Sequence, residues 1–226
     1  MAADEVLLQA AGRGVATLRF YGWTEPTVSL GYFQPEMRRR DDPLLAGLAF
    51  VRRATGGEAL VHHHEVTYAL ALPSGAPWQT GEPWPRRMHA IIAAALATFG
   101  IESHLHTASA APRFAGHLCF QHLAADDLLI GSCKVVGSAQ RKQRGALLQH
   151  GGILLAGSPH APELPGISDL SGRSLTALET CDSVRRAFVA RTGLDVAAAE
   201  WTYAEFQAVE ELAASKYSQE WWNCKR

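Results

Sequence analysis

Cysteine is scarce and scattered. Cys119, Cys133, Cys181 and Cys224 lie far apart in 226 residues with no C-x-x-C pair, so neither a zinc ribbon nor a disulfide framework is indicated and each reads as a free thiol. Long apolar runs are missing: no stretch approaches the ~18 to 20 apolar residues of a membrane span. The N-terminal "MAADEVLLQAAGRG" carries acids before a short apolar run, unlike a signal peptide. Both features assign the chain to the cytoplasm and away from membranes. Charge of one sign is lacking as well: 21 basic and 22 acidic residues nearly cancel, so nothing global favours nucleic acid or an anionic surface. Two nucleotide signatures fail. Gly12 and Gly14 open a G-x-G, but Thr17 stands where the dinucleotide fingerprint needs its third glycine. Lys134 follows Cys133 without the glycines of a Walker loop. The run His62, His63, His64 invites a metal reading, yet only alternate strand residues share a face. The metalloprotease pattern H-E-x-x-H also breaks at Tyr68. No metal site is assigned, and strand-end histidines in a polar pocket are the ordinary reading. No internal repeat and no Pro- or Ser-rich linker divides the chain, so residues 1–226 read as one domain.

What is present suits a mixed fold. At 47% hydrophobic residues the chain can bury a full core. "DEVLLQAA" reads as a short helix stopped at Gly12, and "GVATLRFYGW" and "PTVSLGYFQ" as two strands around a Thr-Glu-Pro turn. "LAFVRRATGGEALVHHHEVTYALALP" reads as strand, Gly-Gly turn and strand. The clearest helix is "PWPRRMHAIIAAALATFGI", with proline at its entrance and Gly100 at its exit. "DDLLIGSCKVVGSAQRKQRGALLQHGGILLAG" reads as a ladder of short strands, and "SVRRAFVARTG" and "YAEFQAVEELAASKYS" as helices. Strands with helices at the flanks and no regular βαβ alternation predict an α+β domain with mixed, mostly antiparallel sheets.

Two segments narrow the function. "RRATGGEALVHHHEVTYALALP" (Arg52 to Pro73) followed by "KVVGSAQRKQRGALLQHGGILL" (Lys134 to Leu155) resembles the catalytic domain of the lipoate ligase and octanoyltransferase family, related in fold to biotin protein ligases. The family pattern is Arg-Arg-x-x-Gly-Gly, a His, Glu-x-Thr-Tyr, then Lys-x-x-Gly-Ser-Ala-Gln and a His-Gly before an aliphatic strand. "FYGWTEPTVSLGYFQ" is similar to its early strand pair and "SKYSQEWWNCKR" to the helix end that closes its catalytic domain. The likeness runs over most of the chain. It implies that Arg52, Arg53, Gly56, Gly57, His62, Gly137, Ser138 and His150 shape the substrate pocket and that Lys134 faces an acyl carbonyl.

The residue types fit that chemistry. Gly56 and Gly57 let a backbone turn approach a ligand that a Cβ would exclude. Arg52 and Arg53 alternate across a strand, so one of them faces the ligand; an ordinary hairpin with solvated arginines is the plain alternative. An ammonium at Lys134 stabilises negative charge developing on a carbonyl oxygen, whereas a lysine snorkelling at a sheet edge would do nothing. Gly137 and Ser138 leave room beside it.

The family offers two mechanisms. Lipoate ligases activate a free acid with ATP and magnesium as an acyl-adenylate and need no cysteine. One branch of octanoyltransferases takes the acyl group onto a cysteine in a Cys-Phe pair shortly before the Lys-x-x-Gly-Ser-Ala-Gln segment, where this chain has Cys119-Phe120. Thioester exchange onto Cys119 needs no ATP and no other cofactor, and an ammonium beside the sulfur favours the reactive thiolate. As an ordinary buried thiol, Cys119 would simply pack, which is the expectation for Cys133. Three departures bear on the choice. Glu58 stands where many ligases have a third glycine, and its charge disfavours a phosphate. The chain ends three residues after Asn223, where many ligases continue into an accessory domain. His63 replaces a common Asp and leaves the roles of His63 and His64 open. The first two favour a transferase that moves an octanoyl or lipoyl group. The donor implied is an octanoyl- or lipoyl-carrier protein. The acceptors implied are lipoyl domains, those of the glycine cleavage H protein and of 2-oxo acid dehydrogenase acyltransferase subunits. An ATP-dependent ligase using Lys134 is the second reading and a non-catalytic lipoyl-domain binder the third. Burying an eight-carbon tail offers roughly 5 kcal/mol, with Val61, Ala69, Val136 and Leu148 the expected lining.

Overall fold

The computed structural model describes residues 1–78, 81–107 and 118–225. Helix α1 (Ala2–Ala11) precedes β1 (Thr17–Tyr21) and β2 (Thr27–Leu30). A short α2 (Met37–Arg40) leads to β3 (Ala49–Arg52), β4 (Leu60–His62) and β5 (Glu65–Leu72). Next come α3 (Trp84–Ala97), β6 (His104–Leu105) and a 3-10 turn (Cys119–Gln121), then β7 (Leu128–Ile130), β8 (Cys133–Gln143) and β9 (Ala146–Leu154). The chain then runs through α4 (Ile167–Ser171), α5 (Ala177–Thr192) and α6 (Tyr203–Leu212), a π turn (Ala213–Tyr217) and α7 (Glu220–Asn223).

Six strands form one sheet in the order β1-β5-β9-β8-β7-β6, each antiparallel to its neighbours. A three-stranded sheet, β3-β2-β4, pairs β2 parallel to β3 and antiparallel to β4. The α+β class with mostly antiparallel sheets therefore stands. Two connections differ from the sequence expectation. β1 and β2 flank their turn but join different sheets, and β2 lies between β3 and β4 where a direct Gly-Gly pairing was expected. Strand propensity is local, whereas the choice of partner is made by distant residues. The expected ladder of short strands is instead one long hairpin of 11 and 9 residues. Arg144 and Gly145 at its tip both have positive φ, as a two-residue primed turn requires.

Alternation along β5 sorts the large sheet into two faces. Val66, Tyr68, Leu70 and Leu72 pack under α3 and α5 with Met88, Ile91, Ile92, Val184 and Phe188. The apolar spacing of α3, Met88 to Leu96 in steps of three and four, is what the sequence pattern demands of a helix lying on a sheet. On the opposite face Ala69 and Ala71 lie under Leu7, Leu8 and Ala11 of α1. Thr67 and Glu65 continue that face beyond the end of the helix, where it opens towards the small sheet. Among the described residues no helix is long and apolar enough to cross a membrane.

Candidate active site

Between the two sheets lies a cleft of about 400 Å³, including the part open to solvent. The large sheet supplies Tyr21, Thr67, His150 and the small residues Gly137, Ser138, Ala139, Gly151 and Gly152. The small sheet and the segment after it supply Ser29, Arg53, Leu60 and His62. The 3-10 turn brings Cys119 and Phe120 over the opening. Its position is set from the backbone, because Cys119 N–H donates to the Ala59 carbonyl at 2.6 Å.

Lys134 is buried beside that turn. Its Nζ lies 2.8 Å from Asp127 Oδ2 and donates to the carbonyls of His122 at 3.1 Å and Cys119 at 3.4 Å. Cys119 Sγ is 4.0 Å from the same nitrogen, and the Phe120 ring centroid 5.2 Å away. An ammonium has three donors, and here all three have oxygen partners. Lys134 thus meets the sulfur as a fixed positive charge. A Cβ at position 137 would collide with the Lys134 side chain, so Gly137 makes room for the lysine.

The two arginines divide as alternation requires. Arg53 lines the cleft and clamps its rim, donating to Ser29 O at 2.8 Å, Gly56 O at 3.0 Å and Glu58 O at 2.6 Å. Burial lowers its pKa, and the nearby Cys119 and Glu58 oppose that shift. Gly57, at φ 91° where a side chain would be strained, passes under the guanidinium, and its carbonyl leaves no space for a Cβ at Gly31. Arg52 is fully buried and outside the cleft lining. It donates to the carbonyls of Gly31 at 2.7 Å, Gln34 at 2.6 Å and Asn223 at 2.9 Å, and its own carbonyl accepts from the Trp222 indole at 2.8 Å. The expectation that Arg52 contacts substrate is corrected: it joins the small sheet to α7. Gly56 and Gly57 likewise reach the site through the Arg53 clamp, not as cleft lining. The Glu58 carboxylate lies 3.9 Å from Arg38, also outside the lining.

His150 is held at both nitrogens. Nδ1 lies 3.0 Å from Asp4 Oδ2 and Nε2 lies 2.6 Å from Thr55 Oγ1. Burial lowers the His150 pKa, Asp4 opposing it, so the ring is neutral near pH 7. Burial would raise Asp4, but the His150 hydrogen bond, with Arg19 and the N-terminal ammonium nearby, holds it at about 2. A carboxylate can only accept, so Nδ1 carries the proton and Nε2 accepts from Thr55. His62 sits in the other polar corner, with Nε2 2.7 Å from Ser29 Oγ and Nδ1 against Glu65 Oε1.

The expected aliphatic lining is also corrected. Val61 belongs to the small-sheet core, Ala69 and Leu148 pack under α1, and Val136 faces the α3 side. Leu60 and Phe120, with Met1 and Ala139, are apolar side chains that line the cleft in their place. Half-buried Cys133 is absent from the lining. Asp4, Ser29, Glu65 and Asp127 escaped the sequence reading. Asp4 had a signal, a charged residue on the apolar stripe it shares with Leu7, Leu8 and Ala11. Glu65 lies inside a quoted motif, two residues from Thr67 and therefore on the same face. Nothing local marked Ser29 or Asp127. Among the described residues no group of three or more His, Cys, Asp or Glu is placed to hold a metal ion.

Comparison with known proteins addresses the chain and its fold. Residues 1–164 match the family model of the lipoyl protein ligase A/B catalytic domain. The octanoyltransferase LipM of Kyrpidia tusciae is 32% identical over 255 residues, covering 98% of this chain and 92% of the relative. Among solved structures, lipoate-protein ligase A bound with ATP matches with a TM-score of 0.78 at 22% identity, over 99% of this chain and 92% of that one. The bipartite lipoate protein ligase of Thermoplasma acidophilum, solved in a study of that ligase and its E2 lipoyl domain, matches with a TM-score of 0.74 at 21% identity, over 99% and 89%. At those identities the structural likeness speaks for the fold alone. The family match over most of the chain and the near full-length relative go further: the chain belongs to the lipoyl protein ligase A/B catalytic-domain family.

Proposed function

We propose that this protein is an octanoyltransferase that carries its acyl group on Cys119 and delivers it to a lysine of a lipoyl domain in the cytoplasm. The observation that carries this reading is the approach of the Cys119 thiol to within 4.0 Å of Lys134 Nζ at the opening of the cleft. The name of the near full-length relative supports the same activity.

In the first step the Cys119 thiolate attacks the carbonyl of an octanoyl thioester on a carrier protein. A C–Sγ bond forms, the bond to the carrier sulfur breaks, and the carrier leaves as a thiol after taking up a proton. The ammonium of Lys134 stabilises both the attacking thiolate and the negative charge passing through the carbonyl oxygen. Asp127 holds that ammonium in place. In the second step the acceptor lysine attacks the Cys119 thioester, an amide forms and the thiol returns. An amide is more stable than a thioester, so neither step calls for ATP. The acyl chain runs along the lining at Gly137, Gly151 and Gly152, with Leu60 and Phe120 against it.

The test is the intact mass of the protein after mixing with octanoyl-carrier protein in the absence of ATP. A hydroxylamine-labile octanoyl adduct on the wild type and none on Cys119→Ala is the expected result. No adduct, with ATP-dependent modification of a lipoyl domain by both proteins, would move the chain to the ligases and leave Cys119 as packing. Binding of the lipoyl domain with no acyl transfer under either condition would leave only a binding role.

A further inference from the structure

The cleft holds a second set of coupled polar groups that the thioester steps leave unused. Strands β2, β4 and β5 bring together Ser29, His62 and Glu65. Ser29 Oγ is 2.7 Å from His62 Nε2, and His62 Nδ1 faces Glu65 Oε1, which also accepts from the Thr67 hydroxyl at 2.5 Å. The Trp23 indole donates to Thr67 Oγ1 at 2.9 Å and stacks on the imidazole with 4.0 Å between ring centroids. With Nδ1 donating to a carboxylate, Nε2 presents its lone pair to the Ser29 hydroxyl, the arrangement by which a histidine takes a proton through a serine. Arg53 Nη1 lies 3.2 Å from Ser29 Oγ on its other side. Ser29, His62 and Thr67 line the same cleft as Cys119.

One feature separates this cluster from a network that merely joins the sheets. Glu65 Oε2 is buried with no hydrogen-bond partner among the described residues, and it lies under the cleft-lining Gly152, where a Cβ would strike it. An unpaired carboxylate oxygen in the interior is costly and calls for a reason. A carboxylate left short of donors is suited to stabilise a positive charge arriving on its partner ring.

The second step of the reaction supplies that need. An ordinary lysine side chain has a pKa near 10.4, so roughly one acceptor in 2,500 is an uncharged nucleophile at pH 7. Lys134 Nζ is already bonded to Asp127 and to the carbonyls of His122 and Cys119, whereas the Ser29 hydroxyl and the His62 ring face the cleft. Building on the acyl-Cys119 reading, we propose that His62, oriented by Glu65 and reaching the cleft through the Ser29 hydroxyl, is the base that deprotonates the acceptor lysine. The acceptor ammonium gives a proton to Ser29 Oγ as the Ser29 proton passes to His62 Nε2. The free amine attacks the thioester carbonyl, the N–C bond forms and the C–Sγ bond breaks. The amine's second proton ends on Sγ as the thiol is restored, and His62 returns its proton to solvent.

The experiment follows two release rates from one octanoyl-loaded enzyme, measured in single turnover for the full chain and for His62→Gln, Glu65→Gln and Ser29→Ala. The acceptors are a lipoyl domain, whose lysine must lose a proton, and hydroxylamine, which is largely uncharged at neutral pH. The ratio of lipoyl-domain transfer to hydroxylamine release should fall about a hundredfold or more in His62→Gln, the usual scale of general-base catalysis. Glu65→Gln should lower it in the same direction. An unchanged ratio, whether both rates hold or both fall together, would assign the cluster to shaping the cleft and overturn the proposal. Should His62→Gln fail to fold by circular dichroism, Ser29→Ala removes one hydroxyl and carries the same expectation. A wild-type enzyme that takes no acyl group on Cys119 would sink the acyl-enzyme reading, and this inference with it.

Discussion

Arg52 and Arg53 are chain neighbours, both buried and both bonded to backbone carbonyls, yet they serve different regions. Arg52 points to the back of the small sheet and ties it to Asn223, 171 residues away. Arg53 points into the cleft and spans Ser29, Gly56 and Glu58 within 24 residues on either side. One long-range contact closes the fold, and one short-range clamp shapes the site. The planar fork of arginine suits both because it meets several carbonyls at once. The pair teaches that a dipeptide motif with one name can hold two roles, divided by the period-two alternation of a strand.

The comparison can be broken most directly at Arg52. Arg52→Ala should leave the carbonyls of Gly31, Gln34, Trp222 and Asn223 short of donors, at a cost of about 4 kcal/mol or more. Chemical denaturation would show this as a lower midpoint with an unchanged slope. Full stability with lost activity would put Arg52 in the site after all. Arg53→Lys should show the opposite balance. A single ammonium cannot span the three carbonyls, and acyl transfer should slow about 30-fold, near 2 kcal/mol, with a smaller loss of stability than at Arg52. Steady-state kinetics beside thermal melts would decide it.

A third prediction concerns the other polar corner. Asp4 is depressed to about 2 from 3.8, so its contribution is complete above the unfolded value and is lost as pH falls from about 4 through about 2. Asp4→Asn should therefore cost about 2 kcal/mol at pH 7, and the gap from wild type should close across that window in pH-dependent denaturation. His150 has the sign of a buried neutral base. Its lowered pKa means the unfolded chain takes up its proton first, and stability should begin to fall as pH drops below the ordinary histidine value near 6.5. The smallest effect belongs to Cys133→Ser, which should change stability by under about 1 kcal/mol and leave the intact-mass adduct on Cys119. Loss of the adduct would mean the wrong cysteine has been chosen.

Some of this was legible in the residues. The apolar spacing of α3, the proline at its start and the strand character of Glu65–Leu72 are local and read correctly. Cys119 and Lys134 stood out through the motifs around them, and the structure puts the buried Lys134 Nζ 4.0 Å behind the Cys119 sulfur that lines the cleft. The lining residues did not read correctly, because Leu60 and Val61 are equally apolar and only the pairing of β4 with β2 decides which one faces the cleft. Asp127 sits in "ADDLLIG" beside Asp126, and nothing local distinguishes the carboxylate that meets Lys134 from the one that meets Arg86 at 3.1 Å.

By itself the sequence determined the α+β class, the family pattern, the candidate nucleophile and its lysine, and the two-faced character of each strand. These depend on residue type and on periods of two and 3.6 residues, which neighbours in the chain impose on one another. Only the tertiary structure decided which faces meet. It placed β1 and β2 in separate sheets, Asp4 against His150 across 146 residues, Ser29 against His62 across 33, and one arginine of two in the site. Such pairings arise when distant elements bury their apolar faces together, and the polar groups brought inside must then find partners wherever the packing has put them.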